Sequence, residues 1–413
     1  MTNPAAEAQA PPLSRNRRYA ILWSGQFLSE LGNEINFIAF PLLILAMSGS
    51  ALEAGLASSV VAAGHMLANL PAGVIADRWD RRRTLLICQG GRALAMASVA
   101  VALWLGAYSF PHILAVALID GLLGSAFEPA EQAALPQVVP ESQLSRAVAA
   151  NTARPFIATL LGPALAGFLF AMEMAVPFGI DSLMLALSFT ALVFLRLPTR
   201  PEPAAPMRSA GEDLVAGLRW VLGQRVIRTT LLWMLASNLV FSALMITVLA
   251  ASHEDQVGAG VIGLSMACMG AGGLLGAALA DRLHSALPAP VVIVGFSWIT
   301  AALTALMALV PAGLPLGLLL GCAAFFAPLA NTTVLTYQIT ITPDGLRGRL
   351  TGIVGLCSGG AAALGPLLGG TLMTAGGDGA GGILACAAAL TVVATATTLS
   401  PTLRRFPVAR SRH

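Results

Sequence analysis

Long apolar stretches recur along the whole chain, separated by short polar breaks. Ala54 to Ala76 and Thr229 to Ser252 each run without Asp, Glu, Lys or Arg, and so does the much longer stretch from Leu283 to Pro343. A break at Pro311-Ala-Gly-Leu-Pro315 divides that last stretch into two passes. A helix needs ~20 apolar residues to cross a ~30 Å hydrocarbon core. The pattern predicts spans over 20–47, 54–76, 84–108, 111–131, 152–172, 175–196, 229–252, 257–280, 289–310, 314–337, 349–373 and 380–400. A membrane β-barrel would show alternating segments of ~10 residues. These runs are long and continuous, so the prediction is an all-α polytopic membrane protein with twelve transmembrane helices.

The first run follows Arg15, Arg17 and Arg18, as a signal peptide would, but it is too long, it carries Glu30 and Glu34, and it lacks a small-residue cleavage site. It reads as a retained span. Outside the spans, arginine falls at 15–18, 78–83, 146, 196–228, 282, 347–349 and 404–412. Twelve spans put all of these on one side. The opposite loops carry acids and histidine but no arginine. Positive residues stay inside, so both termini are expected in the cytoplasm of a cell inner-membrane protein.

Composition agrees. Only 10% of the 413 residues are charged, against roughly 25% in a soluble domain. That excludes a soluble enzyme, a disordered chain and a disulfide scaffold. The net charge of +3 gives no reason to expect nucleic acid. There is no lysine, and the five cysteines have neither metal nor redox spacing. No metal or cofactor is expected.

The two halves resemble each other. Ala76-Asp77-Arg78 recurs as Ala280-Asp281-Arg282, an offset of 204. Gly162-Pro163 recurs as Gly365-Pro366, an offset of 203 shared by Arg146 and Arg349. Phe127-Glu-Pro129 recurs as Phe326-Ala-Pro328, an offset of 199. Matches in one order at nearly constant spacing imply two six-helix bundles related by an axis along the membrane normal. The expected domains are 1–196, a cytoplasmic linker at 197–228, and 229–413. The linker opens with prolines and continues as an amphipathic helix carrying Leu214, Val215, Leu218, Val221 and Leu222.

Between spans 2 and 3 stands Gly73-Val-Ile-Ala-Asp77-Arg78-Trp-Asp80-Arg81-Arg82-Arg83. This resembles the signature loop of the major facilitator superfamily, with Asp80 in place of the second glycine. The variant is similar to that of the enterobactin-exporter and macrolide-efflux subgroup. Gln26-Phe-Leu-Ser29, Phe127 to Pro136 and Gly162-Pro163 fit the same subgroup. The resemblance implies the major facilitator fold and transport by alternating access. It also implies that Asp77 faces the N-terminus of span 11, where a carboxylate meets a positive dipole. Arg78, Arg81 and Arg82 would complete a latch that makes and breaks as the halves rock. Gly162 and Pro163, with Gly365 and Pro366, are expected as packing hinges.

Acids at membrane depth are the remaining signal, because each costs a few kcal/mol there unless it faces a cavity, is paired or is neutral. Gln26, Glu30 and Glu34 form a polar stripe at i, i+4 spacing on span 1, and Asp120 lies mid-span 4. Relatives in the superfamily often carry an acid where this chain has Asn33. Glu30, Glu34 and Asp120, with Gln26 and Asn33, are the expected proton-coupling or cavity residues. Arg92, Glu128, Glu131 and Arg154 are expected at a cytoplasmic gate. The second half is nearly free of such acids.

These residues point to a monomeric secondary exporter, an antiporter of protons and a small lipophilic compound, drug or siderophore. One charge moved through 100 mV supplies ~2.3 kcal/mol, and no nucleotide-binding domain is present in the sequence. An importer of a small metabolite and a non-transporting or lipid-handling protein on the same scaffold are the alternatives.

Overall fold

The computed structural model describes residues 13–78, 80–195 and 219–404. Among them are twelve helices long and apolar enough to cross a membrane, and no strand. They are α1 (Arg17–Ser48), α2 (Ala51–Arg78), α3 (Arg81–Trp104), α4 (Phe110–Val138), α5 (Glu141–Met172) and α6 (Val176–Val193). Then follow α7 (Arg225–Glu254), α8 (Ala259–Ala286), α9 (Ala289–Met307), α10 (Leu314–Ile341), α11 (Asp344–Gly376) and α12 (Gly379–Leu399). A short α13 (Pro401–Arg404) ends the described chain. Each expected span has its helix. Several helices overrun the apolar run: α5 begins at Glu141 and α11 at Asp344, well before the apolar runs expected from 152 and 349. Apolarity marks where a helix enters hydrocarbon, whereas backbone hydrogen bonding continues into water.

By spatial contact the chain divides into two compact units. One takes Met1–Phe40 and Val60–Ala205, the other Pro41–Ser59 and Pro206–His413. The helices α1 and α2 are therefore shared lengthwise, α1 at Pro41, where proline removes a backbone donor from the helix interior.

In the first unit, α3 packs against α4 and α6. Tyr19, Leu22, Leu85, Phe127, Leu135 and Leu192 meet in its apolar cluster. Helix starts are fixed locally. Asp80 accepts a hydrogen bond from the Arg83 N–H at 2.8 Å and caps α3.

In the second unit, α8 packs against α10, α7 against α11 and α12, and α9 against α10 and α12. Lipid tails are as apolar as leucine, so helices here associate through close packing of small residues. Gly272 and Gly276, one turn apart on α8, meet Gly321 and Phe325 of α10. On α11, the N–H of Leu367, next after Pro366, donates to Ser59 Oγ of α2 at 3.0 Å. The linker positions Leu214, Val215 and Leu218 lie outside the described residues. Val221 is described, and it packs with Ile227, Leu231, Leu350 and Ile353.

Candidate functional site

The first part of α1 carries two neighbouring polar stripes that face different helices. Gln26, Glu30 and Glu34 are one turn apart and face α5. Ser29, Asn33 and Asn36 lie beside them and face α3 and α6. This local periodicity of four and three residues divides the site into two clusters.

The first cluster is built around Arg154 of α5. Its Nε and Nη2 donate to the two carboxylate oxygens of Glu30, both at 3.0 Å, a bidentate pairing. Its Nη1 stands 3.6 Å from Glu131 Oε1 on α4. Gln26 Nε2 donates to Glu30 at 3.2 Å, and Asn151 Nδ2 donates to Glu131 at 3.3 Å. Tyr19 Oη reaches Asn151 Oδ1 at 3.3 Å and the Ala147 carbonyl at 3.4 Å. Arg154 is 4% exposed and Glu131 1%, so one buried guanidinium serves a buried and a half-buried carboxylate, Glu131 and Glu30, through a network that spans α1, α4 and α5.

The second cluster is built around Arg92 of α3, which is fully buried. Its Nε donates to Asp120 Oδ1 of α4 at 2.7 Å, and its Nη1 to Ser29 Oγ at 2.6 Å. Its Nη2 donates to Asn33 Oδ1. A charge at this depth persists because its donors are met from two neighbouring helices, α1 and α4. His65 of α2 and Arg92 both border Gly124 of α4.

The structure regroups the expected residues. Arg92 does not join Arg154 at a gate. It holds Asp120, because α3 faces α4 and α1 at that level. Glu30 is held by Arg154. Glu131 meets Arg154 as expected, while Glu128 is exposed and accepts from Gln132 Nε2 at 3.1 Å. Glu34 accepts a hydrogen bond from Thr159 Oγ1 of α5 at 2.8 Å. In the signature loop, the side chains of Gly73, Asp77 and Arg78 lie outside the described residues. Asp80 is a helix cap, and Arg82 Nη2 donates to the Val193 carbonyl at the end of α6 at 2.5 Å.

The paired hinge positions are sites of close approach. A Cβ at Gly162 would strike Glu34 of α1, with the Glu34 backbone only 3.1 Å away. A Cβ at Gly365 would stand 2.8 Å from the Leu239 carbonyl of α7. Glycine thus brings α5 onto α1 in one half and α11 onto α7 in the other. Pro163 and Pro366 follow directly within α5 and α11.

Sequence reasoning passes over Asp181, Asn36, Ser29, Thr159 and Asn151. Asp181 was open to the same criterion that singles out Asp120, as an acid inside the sixth apolar run. The others are uncharged, and nothing in their spacing names a partner helix.

Twelve membrane helices with buried arginine–carboxylate clusters in the first half define a multi-pass transporter of the major facilitator superfamily. Within it, the chain belongs to the family described as transmembrane secretion effector, which matches residues 7–411. It is similar to the enterobactin exporter EntS of Salmonella choleraesuis (strain SC-B67), with 27% identity over 346 residues, 83% of this chain and 82% of that protein. EntS of Escherichia coli O1:K1 / APEC is 27% identical over 349 residues, with the same coverage of both chains. Among solved structures, the nucleoside transporter NupG superposes with a TM-score of 0.75 at 13% identity, covering 94% of this chain and 100% of that one. A bacterial homolog of the human lysosomal transporter Spinster superposes with a TM-score of 0.68 at 14% identity, covering 92% of this chain and 96% of that one. At such identities these structures speak for the fold.

Proposed function

We propose that this protein is a proton-coupled exporter, an antiporter that moves a small lipophilic compound, drug or siderophore out of the cell by alternating access. The observation that carries the reading is the pair of arginine–carboxylate clusters at α1, together with a further acid, Glu34, bonded to an uncharged hydroxyl. Glu30 and Asp120 each have a permanent cation beside them. Glu34 has a threonine, so a proton can neutralise it without breaking an ion pair. Protonation of Glu34 or Asp120 from the outer side then releases substrate, and loss of that proton inward resets the carrier. The relatives named as enterobactin exporters support export over import. They favour a siderophore-like or similarly sized cargo.

In this reading the protein is a monomer in the cell inner membrane with both termini in the cytoplasm. Asp77 and Arg78 latch one state of the cycle, and the halves at 1–196 and 229–413 move about the 197–228 linker. The test is transport in oriented vesicles under an imposed pH gradient. Substrate should accumulate in everted vesicles, and Glu34→Gln and Asp120→Asn should lose the response to the gradient. Accumulation in right-side-out vesicles instead would make the protein an importer. A normal gradient response in both variants would overturn the coupling assignment.

A further inference from the structure

Asp181 of α6 is fully buried, yet its described hydrogen-bond donor is a neutral amide. Asn36 Nδ2 of α1 donates to Asp181 Oδ2 at 2.7 Å and touches Met96 Sδ at 3.7 Å. Asp181 Oδ1 and Asn36 Oδ1 are both buried acceptors with no hydrogen-bond partner. The carboxylate also lies against Gly32 of α1, so close that a Cβ there would collide with it. A bare carboxylate held in this way would leave a buried charge uncompensated, which is costly in low dielectric.

A cation lies on the helix that faces Asp181, one turn from its contacts there. Met96 follows Arg92 by four residues on α3, and Ser182 Oγ, next to Asp181, donates to the Ala93 carbonyl at 2.9 Å. The charged groups that act on Asp181 are Arg92 of α3 and Asp120 of α4, while α1 offers the Asn36 amide. Cys88 of α3 and His65 of α2 complete the titratable groups around Arg92. One permanent positive charge therefore acts on two buried acids, bonded to Asp120 and felt by Asp181, and Arg92 is always protonated. Electroneutrality in a dry site permits one ionised carboxylate per guanidinium.

We propose that Asp120, Arg92 and Asp181 form a site that binds one exchangeable proton. In the conformation seen, Arg92 pairs with ionised Asp120, and the proton sits on Asp181 Oδ1. In the alternative arrangement the O–H bond on Asp181 breaks, one forms on Asp120, and the guanidinium turns to Asp181. No other reactant is needed, because one proton moves and the total charge is constant. The site deepens the coupled reading above by naming where a proton is held, and it rests on that reading only for what the proton is used for.

Infrared spectroscopy of the full chain in lipid nanodiscs tests the site directly, since a protonated carboxyl has a C=O band that shifts in heavy water. Wild type should show this band, and Asp181→Asn should remove the share of one carboxyl. Asp120→Asn is the sharper variant. It frees Arg92 to pair with Asp181, which then ionises, so the same share should vanish although Asp181 is intact. An isolated neutral Asp181 would keep its band in Asp120→Asn, and that result overturns the proposal, as does an unchanged band in Asp181→Asn. A missing wild-type band rejects the site whatever transport does. A gradient-independent transporter that shows the expected band pattern rejects the coupling reading and upholds the site.

Discussion

The two units solve the problem of buried polarity in opposite ways. Among the described residues, the buried charged side chains are Arg92, Asp120, Glu131, Arg154 and Asp181, all in the first unit. Their partners come from other helices, so each polar contact there also fixes one helix against another. The buried polar residues of the second unit are uncharged, among them Thr230, Thr247, Thr304, Thr333 and Gln338. Most of its threonines turn back on their own helix, as when Thr304 donates to the Thr300 carbonyl and Thr333 to the Leu329 carbonyl, both at 2.8 Å. Helix association there rests on close packing between small residues, as at Gly272 and Gly321. The lesson is that two units built alike from membrane helices can be tied together in different ways, by charged contacts between helices in one and by close packing in the other.

The contrast can be broken most directly at Arg154. Arg154→Leu leaves Glu131 buried and Glu30 half-buried with no cation, which should destabilise the protein by about 3–5 kcal/mol. Thermal unfolding in detergent reads this, and a loss below 1 kcal/mol would mean the cluster is wet. Next come the paired glycines. Gly162→Val and Gly365→Val should each cost about 1–3 kcal/mol through overpacking. Only Gly162→Val should also impair a transport response to pH, because only that approach involves an acid. Equal transport defects in both would erase the distinction between the units. The helix caps should not discriminate at all: Asp80→Ala in the first unit and Asp378→Ala in the second should each cost about 1 kcal/mol, since both accept a backbone N–H at a helix start. The smallest effect is expected in the neutral unit. Trp233→Phe removes a hydrogen bond to Ser297 Oγ of 2.9 Å, and such bonds between membrane helices average about 0.6 kcal/mol.

Much of this was legible in the residues. The twelve spans follow from run length alone, because water-free surroundings demand internally satisfied backbone and hence helices. Gln26, Glu30 and Glu34 read correctly as one stripe, since i, i+4 spacing fixes a face. What that spacing does not contain is the identity of the facing helix. Glu30 therefore meets Arg154 and not Arg92, a choice made by tertiary packing across more than a hundred residues. Asp80 reads as part of a motif but caps α3, because the same residue type suits both roles. Asp181 was as legible as Asp120, a lone acid inside an apolar run, but its partner Asn36 on α1 was not.

The early start of α5 has a practical side. From Glu141 to the expected membrane entry at 152 the helix continues for about eleven residues, or about 16 Å at 1.5 Å per residue. Ser145 is exposed in this stretch. It rides on the same unbroken helix as Arg154 and Gly162. A spin label there would act as a pointer mounted on the shaft, turning a small rotation at the buried pair into a displacement that can be tracked from the surface.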